Sequence, residues 1–503
     1  MNNSESLTDL IEYHFKNNLD ASIIDAAINK EVKLKDLHLI VKTIQNELYT
    51  SRLDSKSIVH FIGPNGIALM AVYCGILYNN WIPVGSNYTS PLPELMRNVD
   101  ATDSQGLAIS KDLWVKFKSK LECPKLKVVF VYEITEIDEL KIEIEQVEFD
   151  NVDVKRENLE NVSLMYMSSG STGAPKAIMI DHMAIFNMLR NFGSQPQIRG
   201  ISCQSFCNIG GNLMFWSSLI ASSSFVILEG FDVNNYIKAY VKYKCNYLRG
   251  TLAIMRAISK FERLADYDLS STVVMGIVGS KSDVSVLYKI KERTNIKDKV
   301  YFLASYGSSE SFPTHSMICS LSEIPERFPK CQGNIQCKII DPTSNKVLKP
   351  NETGEICVKT PFAMRGYYKD KTKTSAVLSE DGWLRMGDLG NLDEDGKLLV
   401  VGRIKDIVKY RGFSVHSLEL ESILQKHKAV YVCAVVGESH EVHDEIPVAF
   451  VVKNHDVTAK ELIDYMEENV AEYKRIHKIY FIEKMPLNIG MKTNKPALKL
   501  MCQ

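Results

Sequence analysis

The sequence has no surplus of either charge. Its 503 residues carry 60 Lys and Arg against 61 Asp and Glu, a formal net charge of −1. A dedicated nucleic-acid binder normally shows a basic face or a high pI, so no nucleic-acid partner is expected. Long apolar runs are missing too. The longest, residues 66–78, is broken by Asn79 and Asn80. It falls short of the ~18 residues that suggest a membrane span, so no membrane partner is expected either. None of the 11 cysteines forms a C-x-x-C pair. An odd, scattered set reads as free thiols of a reducing compartment. Residues 1–9 have early acids and no apolar core, unlike a signal peptide, and residues 500–503 match no sorting or prenylation motif. The expectation is a cytoplasmic protein. A Walker loop, G-x-x-x-x-G-K-[ST], is also absent, which removes one common nucleotide-binding architecture.

What remains is the ordinary composition of a globular protein, 45% hydrophobic and 24% charged. Short β-rich runs at 57–62, 127–131, 224–228 and 273–278 alternate with helix-period segments at 91–98, 184–191, 233–243 and 254–263. That alternation predicts α/β layers with largely parallel sheets. Residues 141–149 alternate apolar and polar within an acidic stretch and read as a solvated edge strand. From Gly354 to about residue 401, short strands joined by Asp-Gly turns predict a small antiparallel β subdomain. After Gly402, a helix (417–427), two strands (431–436, 447–452), a helix (458–473) and a last strand (478–482) form a compact α+β unit. The predicted organisation is a large N-terminal α/β domain of layered sheets with its β subdomain over 1–402. A small mobile α+β domain over 403–503 follows it, with the boundary near 403–406.

The sharpest local feature is Met167-Ser-Ser-Gly-Ser-Thr-Gly-Ala-Pro-Lys-Ala177. Small and hydroxyl residues let backbone N–H and side-chain O–H groups approach phosphate oxygens, and a lysine adds positive charge. The segment follows a strand-like run and precedes a helix-like one, the setting of a phosphate loop. It resembles the phosphate loop of the adenylate-forming superfamily, which spans acyl-CoA synthetases, aryl-acid ligases, peptide-synthetase adenylation domains and luciferase. The resemblance implies that Ser168, Ser169, Gly170, Ser171, Thr172, Gly173 and Lys176 bind ATP phosphates.

Further motifs follow in that family's order. Tyr306-Gly-Ser-Ser-Glu310 resembles its Tyr-Gly-x-Thr-Glu. By that likeness Tyr306 stacks on adenine, Ser309 touches the α-phosphate and Glu310 holds Mg²⁺. Gly354-Glu-Ile and Arg365-Gly-Tyr-Tyr resemble the next block. Asp381-Gly-Trp-Leu-Arg-Met-Gly-Asp388 implies a ribose-gripping Asp388. Gly402-Arg-Ile-Lys-Asp implies Arg403 as a second ribose ligand and Lys405 as the hinge. Pro486-Leu-Asn-Ile-Gly-Met-Lys492 implies a catalytic Lys492, with Met491 where the family has glycine. Each motif alone is common. Six in order, across residues 167–492, are specific.

The implied reaction attacks the α-phosphorus of ATP with a carboxylate, giving acyl-AMP and pyrophosphate. A thiol then displaces AMP. The resemblance places the acid pocket at Cys207, Asn208, Gly279, Ser280 and Ser305. Cys207 stands where amino-acid-activating relatives carry an aspartate for the α-ammonium, so an α-amino acid is disfavoured. Asn208 offers a donor and an acceptor, which suits a hydroxy- or aminobenzoate over a fatty acid. The expected acceptor is the phosphopantetheine of a separate carrier protein, with CoA as the alternative. A non-catalytic acyl-adenylate binder and a luciferase-like oxygenase are the other readings. Lys495 and Lys499 read as a solvated tail, and His315 as a loop histidine. His440 and His443 read as a polar turn between strands.

Overall fold

The computed structural model describes residues 7–502 except 19, 52, 122, 124, 137–140, 149–158, 170–174, 192–197, 279–283, 332, 412 and 489–490. Two compact units divide the chain. The first comprises Met1–Ile324 with Thr360–Gly382, the second Pro325–Lys359 with Trp383–Gln503. The four-stranded β sheet thus groups with the C-terminal segment, and the contact-based division falls away from residue 402.

The first unit is built on two eight-stranded sheets. In one, Gly200–Ser202, Tyr247–Gly250, Val274–Ile277 and Tyr301–Ser308 follow each other in parallel, and the antiparallel Phe312–Ser320 closes that edge. In the other, Ile82–Gly85, Ile58–Ile62, Gly106–Ser110 and Val128–Glu136 run parallel at the centre. On one side Val162–Ser169 continues the parallel set, followed by antiparallel Pro175–Asp181 and, at the edge, Gly366–Tyr367; on the other side the antiparallel Lys141–Glu148 is the edge. The acidic alternating segment is therefore the edge strand its pattern predicts. The apolar run at 66–78 becomes the helix Ile67–Tyr78, buried at every position. A helix apolar all round belongs inside a core. Here it touches strands of both sheets, and the Asp25 carboxylate accepts the Ile67 N–H at its start, 3.0 Å away.

A fully buried polar residue ties these layers together. The Asn212 Oδ1, on helix Ile209–Ile220, accepts from Tyr166 at 2.8 Å, Tyr73 at 3.4 Å and Trp216 at 2.5 Å. Those donors come from a sheet strand, the central helix and the Asn212 helix itself. Helix Ile209–Ile220 is thereby fixed one turn beyond its cap, Asn208.

The second unit has an antiparallel sheet in the order Gln336–Ile340, Gly354–Lys359, Leu384–Leu392, Leu398–Arg403. Its other sheet has the long hairpin Val430–His440 and Asp444–Lys453 at its centre, with Lys478–Phe481 added in parallel. Helices Ser417–Leu424 and Ala459–Asn469 pack on it, the latter started by a Thr458–Glu461 capping box. His440 and His443 mark the hairpin tip, stacked 4.6 Å apart, and His443 bonds Arg411. Among the described residues no helix is long and apolar enough to cross a membrane.

Candidate functional site

In the first unit, Ser168 and Ser169 end one strand and pair with Lys176 and Pro175 of the next. Gly170, Ser171, Thr172 and Gly173 lie outside the described residues, as do Gly279 and Ser280 of the expected acid pocket. Lys176 holds its ammonium 4.9 Å from the ring centre of Tyr367. The Tyr367 hydroxyl in turn donates to Glu310 Oε1 at 3.0 Å, and the Met364 N–H donates to the Glu310 carbonyl at 2.7 Å. Burial and the Glu310 charge push the Tyr367 hydroxyl upward, so it is a donor at neutral pH.

Glu310 reaches this position through a tight hairpin. Strands Tyr301–Ser308 and Phe312–Ser320 approach so closely that a Cβ on Gly307 would lie 2.1 Å from the Phe312 carbonyl oxygen. Only glycine fits there. Phe312 itself takes φ +52°, and the Ser308 N–H donates to Ser311 Oγ at 2.9 Å. Along the first strand Tyr306 turns inward, opposite His315, with ring centres 5.9 Å apart. Ser305 turns outward, 3.1 Å from Ser316 Oγ, and Ser309 is half-buried on the turn. His315 is a buried strand residue, 3.1 Å from Thr314 Oγ1, rather than a loop histidine.

Asn208 caps helix Ile209–Ile220 without a side-chain capping bond. Beside it Cys207 is buried, with Sγ 2.9 Å from Ser205 Oγ, and burial pushes its thiol up to about 11. A thiol so shifted stays protonated at physiological pH.

In the second unit, Asp388 and Arg403 are cross-strand partners, with Arg403 Nε 3.2 Å from Asp388 Oδ1. Asp388 is buried and Arg403 exposed. Lys492 sits on a compact loop: Leu487 bridges Thr493, the Asn488 N–H donates to the Lys492 carbonyl at 2.8 Å, and Asn488 Oδ1 accepts the Lys492 N–H at 3.0 Å. Its residue surface is exposed. Crowding around the ammonium, then repulsion from Arg403, lower its pKa, while Asp388 pulls the other way. Lys492 thus shares an electrostatic neighbourhood with both expected ribose ligands. Met491 adopts φ +57°, the left-handed conformation for which the family uses glycine. Lys405 is exposed on a single turn, Ile404–Asp406.

One reading is overturned. Lys495 is no solvated tail: its ammonium lies 2.8 Å from Glu421, 3.5 Å from Asp406 and 2.7 Å from Ser417 Oγ. Lys499 also pairs, with Glu445 at 3.1 Å. A run of lysines at a chain's end hides such contacts, because the partners lie far back in sequence. Tyr367 was visible only as part of a motif. Its link between Glu310 and Lys176 needs the strand pairing that sets Tyr367 opposite Ile178.

Residues 34–368 match the family described as "AMP-binding enzyme", and 419–492 its C-terminal domain. A 4-coumarate–CoA ligase of Pinus taeda is 27% identical over 491 residues, spanning 92% of this chain and 88% of its own length. One from Humulus lupulus is 31% identical over 396 residues, covering 75% and 69% respectively. Among solved structures, an amide bond synthetase from Marinactinospora thermotolerans superposes with a TM-score of 0.83 at 21% identity, over 99% of this chain and 100% of that one.

Proposed function

The chain belongs to the AMP-binding enzyme family and is an adenylate-forming ligase, and we propose that it activates a small aryl acid with a polar substituent and passes the acyl group to CoA. One observation carries the reading of the nucleotide half. Asp388, Arg403 and Lys492, far apart in sequence, share one neighbourhood in which the lysine charge feels both partners.

The chemistry asks for little covalent participation by the protein, because the substrate carboxylate is already ionised. Charge compensation on crowded phosphates and in-line positioning supply most of the acceleration. Lys176, Ser171 and Thr172 serve the phosphates, Tyr306 the adenine and Ser309 the α-phosphate. Asp388 and Arg403 grip the ribose. One hard carboxylate plus substrate phosphates is the donor set Mg²⁺ takes, and Glu310, with Tyr367 on Oε1, fits it. When bound, the ion would neutralise phosphate charge. Lys492 supports adenylation alone, and turning at Lys405 removes it before the thiol step. Cys207 and Asn208 support a polar-substituted acid over an alkyl chain. The 4-coumarate–CoA ligases among the relatives weigh for CoA over a separate carrier protein.

The test is ATP–pyrophosphate exchange over a panel of acids, then CoA-dependent AMP release. Hydroxy- and aminobenzoates or hydroxycinnamates should outrun octanoate in kcat/KM; the reverse order would refute the aryl reading. Release with a phosphopantetheinylated carrier but not with CoA would reassign the acceptor. Lys492→Ala should lower acid-dependent exchange about 10²–10³-fold, yet still convert synthetic acyl-AMP and CoA to thioester. Equal loss of both half-reactions would make Lys492 structural.

A further inference from the structure

Arg249 lies near the carboxyl end of strand Tyr247–Gly250 and is only 7% exposed. A guanidinium cannot shed its proton, and burying it without a counter-charge is costly. Yet among the described residues its partners are neutral. Nη2 donates to Gln204 Oε1 at 3.1 Å, and the guanidinium carbon stands 5.8 Å from the Tyr247 ring centre. The Cys203 thiol feels its charge, but burial pushes that thiol up to about 12, so it carries no charge at pH 7. Burial likewise raises the Tyr247 hydroxyl. Among the described residues no carboxylate pairs with Arg249, although the half-buried Lys495 has Glu421.

The position of this charge is informative. Strand Tyr247–Gly250 lies between Gly200–Ser202 and Val274–Ile277, all parallel. In open α/β sheets, ligands bind off the carboxyl ends of such strands. The first neighbour runs on into the segment of Gln204, Cys207 and Asn208. The other continues to Val278, whose N–H donates to the Gly250 carbonyl at 3.0 Å, just before Gly279 and Ser280. Gln204 links the arginine to the start of helix Ile209–Ile220: its amide nitrogen stands 3.1 Å from where a Cβ on Gly210 would be. That helix begins without a side-chain cap, so its first N–H groups add partial positive charge to the same region.

We propose that Arg249 selects an acid carrying a second carboxylate: one carboxylate attacks ATP, and the other pairs with the guanidinium. The inference rests on the acid-activating reading and sharpens it, making the polar substituent anionic. A guanidinium presents its donors as a planar fork that matches a carboxylate, so a neutral isostere of the acid leaves the cation buried and unpaired.

Matched pairs test this. Benzene dicarboxylates and hexanedioate are compared with their mono-methyl esters in ATP–pyrophosphate exchange, for the wild type, Arg249→Gln and Arg249→Lys. The wild type should favour the free dicarboxylate at least tenfold in kcat/KM. Arg249→Gln should bring the ratio near one, and Arg249→Lys should retain part of it. Removing a buried charge that has no counter-charge, with glutamine able to keep a hydrogen bond to Gln204, should leave the melting temperature of Arg249→Gln no lower than wild type. Wild type using the esters equally well, or the preference surviving in Arg249→Gln, overturns the assignment. A lower melting temperature with an unchanged ratio marks Arg249 as structural and also overturns it. Exchange with no acid at all overturns the acid-activating reading and this inference together, whereas exchange without a dicarboxylate preference removes this inference alone.

Discussion

At Met491 an L side chain occupies φ +57°, a conformation that costs it roughly 1–2 kcal/mol. Glycine adopts it freely, so Met491→Gly should stabilise the protein by about 1 kcal/mol in denaturant titration. Met491→Val, β-branched, should destabilise it and slow adenylation by displacing the neighbouring Lys492. A second residue-scale expectation concerns pH. In the role proposed for it Lys492 acts as an ammonium, so kcat/KM for exchange should fall as pH rises through its pKa. Crowding and Arg403 set that pKa below the ordinary lysine value, so the alkaline limb should come early. Arg403→Gln should move the limb upward, whatever it does to the ATP KM; an unmoved limb would assign it to another group. The motif lysine was legible in the sequence because it ends a recognisable block. The strain one residue before it showed only as a missing glycine. The Lys495 ion pairs, and the neutral surroundings of Arg249, were not legible at all, since each depends on which distant residues converge.

Helix Ile209–Ile220 is the element on which the proposed acid pocket depends. Its Asn212 satisfies three buried donors with one oxygen, and each buried donor left unmet costs about 1–3 kcal/mol. Asn212→Leu should therefore destabilise by at least about 3 kcal/mol in urea unfolding. In the second unit, Lys495 fastens the loop after Lys492 to Glu421 and to Asp406, beside the turn of Lys405. Removing one partner of a fully buried pair typically costs about 3–5 kcal/mol; these pairs are half-buried, so Lys495→Ala should cost less than that but still lower the melting temperature. Lys499→Ala, whose pair with Glu445 is solvent-screened, should hardly change it. Elements with a strong period were readable to within a residue or two: the run at 57–62 is strand Ile58–Ile62, and 233–243 is helix Val233–Lys242. The hairpin Ile407–Tyr410 with Phe413–His416 escaped, because each strand is four residues long and Lys409, Arg411 and His416 blur its alternation. The helix expected over 458–473 stops at Asn469, where the chain turns extended before Tyr473.

For the whole molecule, the sequence suggested two successive domains, whereas the compact units interleave. Residues Thr360–Gly382 return to the first unit after Pro325–Lys359 has begun the second. A reading along the chain cannot see this, since strand patterns say which segments pair with something but not with what. The returning segment brings Gly366–Tyr367 to the edge of Pro175–Asp181 and Tyr367 to Glu310. A chain truncated after Ile324 should thus be less soluble than one truncated after Gly382, as sedimentation of expressed fragments would show, because an open strand edge invites pairing between copies. The same interleaving imposes a schedule on the ribosome. At 5–20 residues per second, about 10–40 s pass between synthesis of Pro175–Asp181 and arrival of the strand that covers it. Over that interval the nascent chain carries an uncovered edge, and once Glu310 has been made, a carboxylate still without its Tyr367 partner, so this is the window in which a chaperone has most to protect.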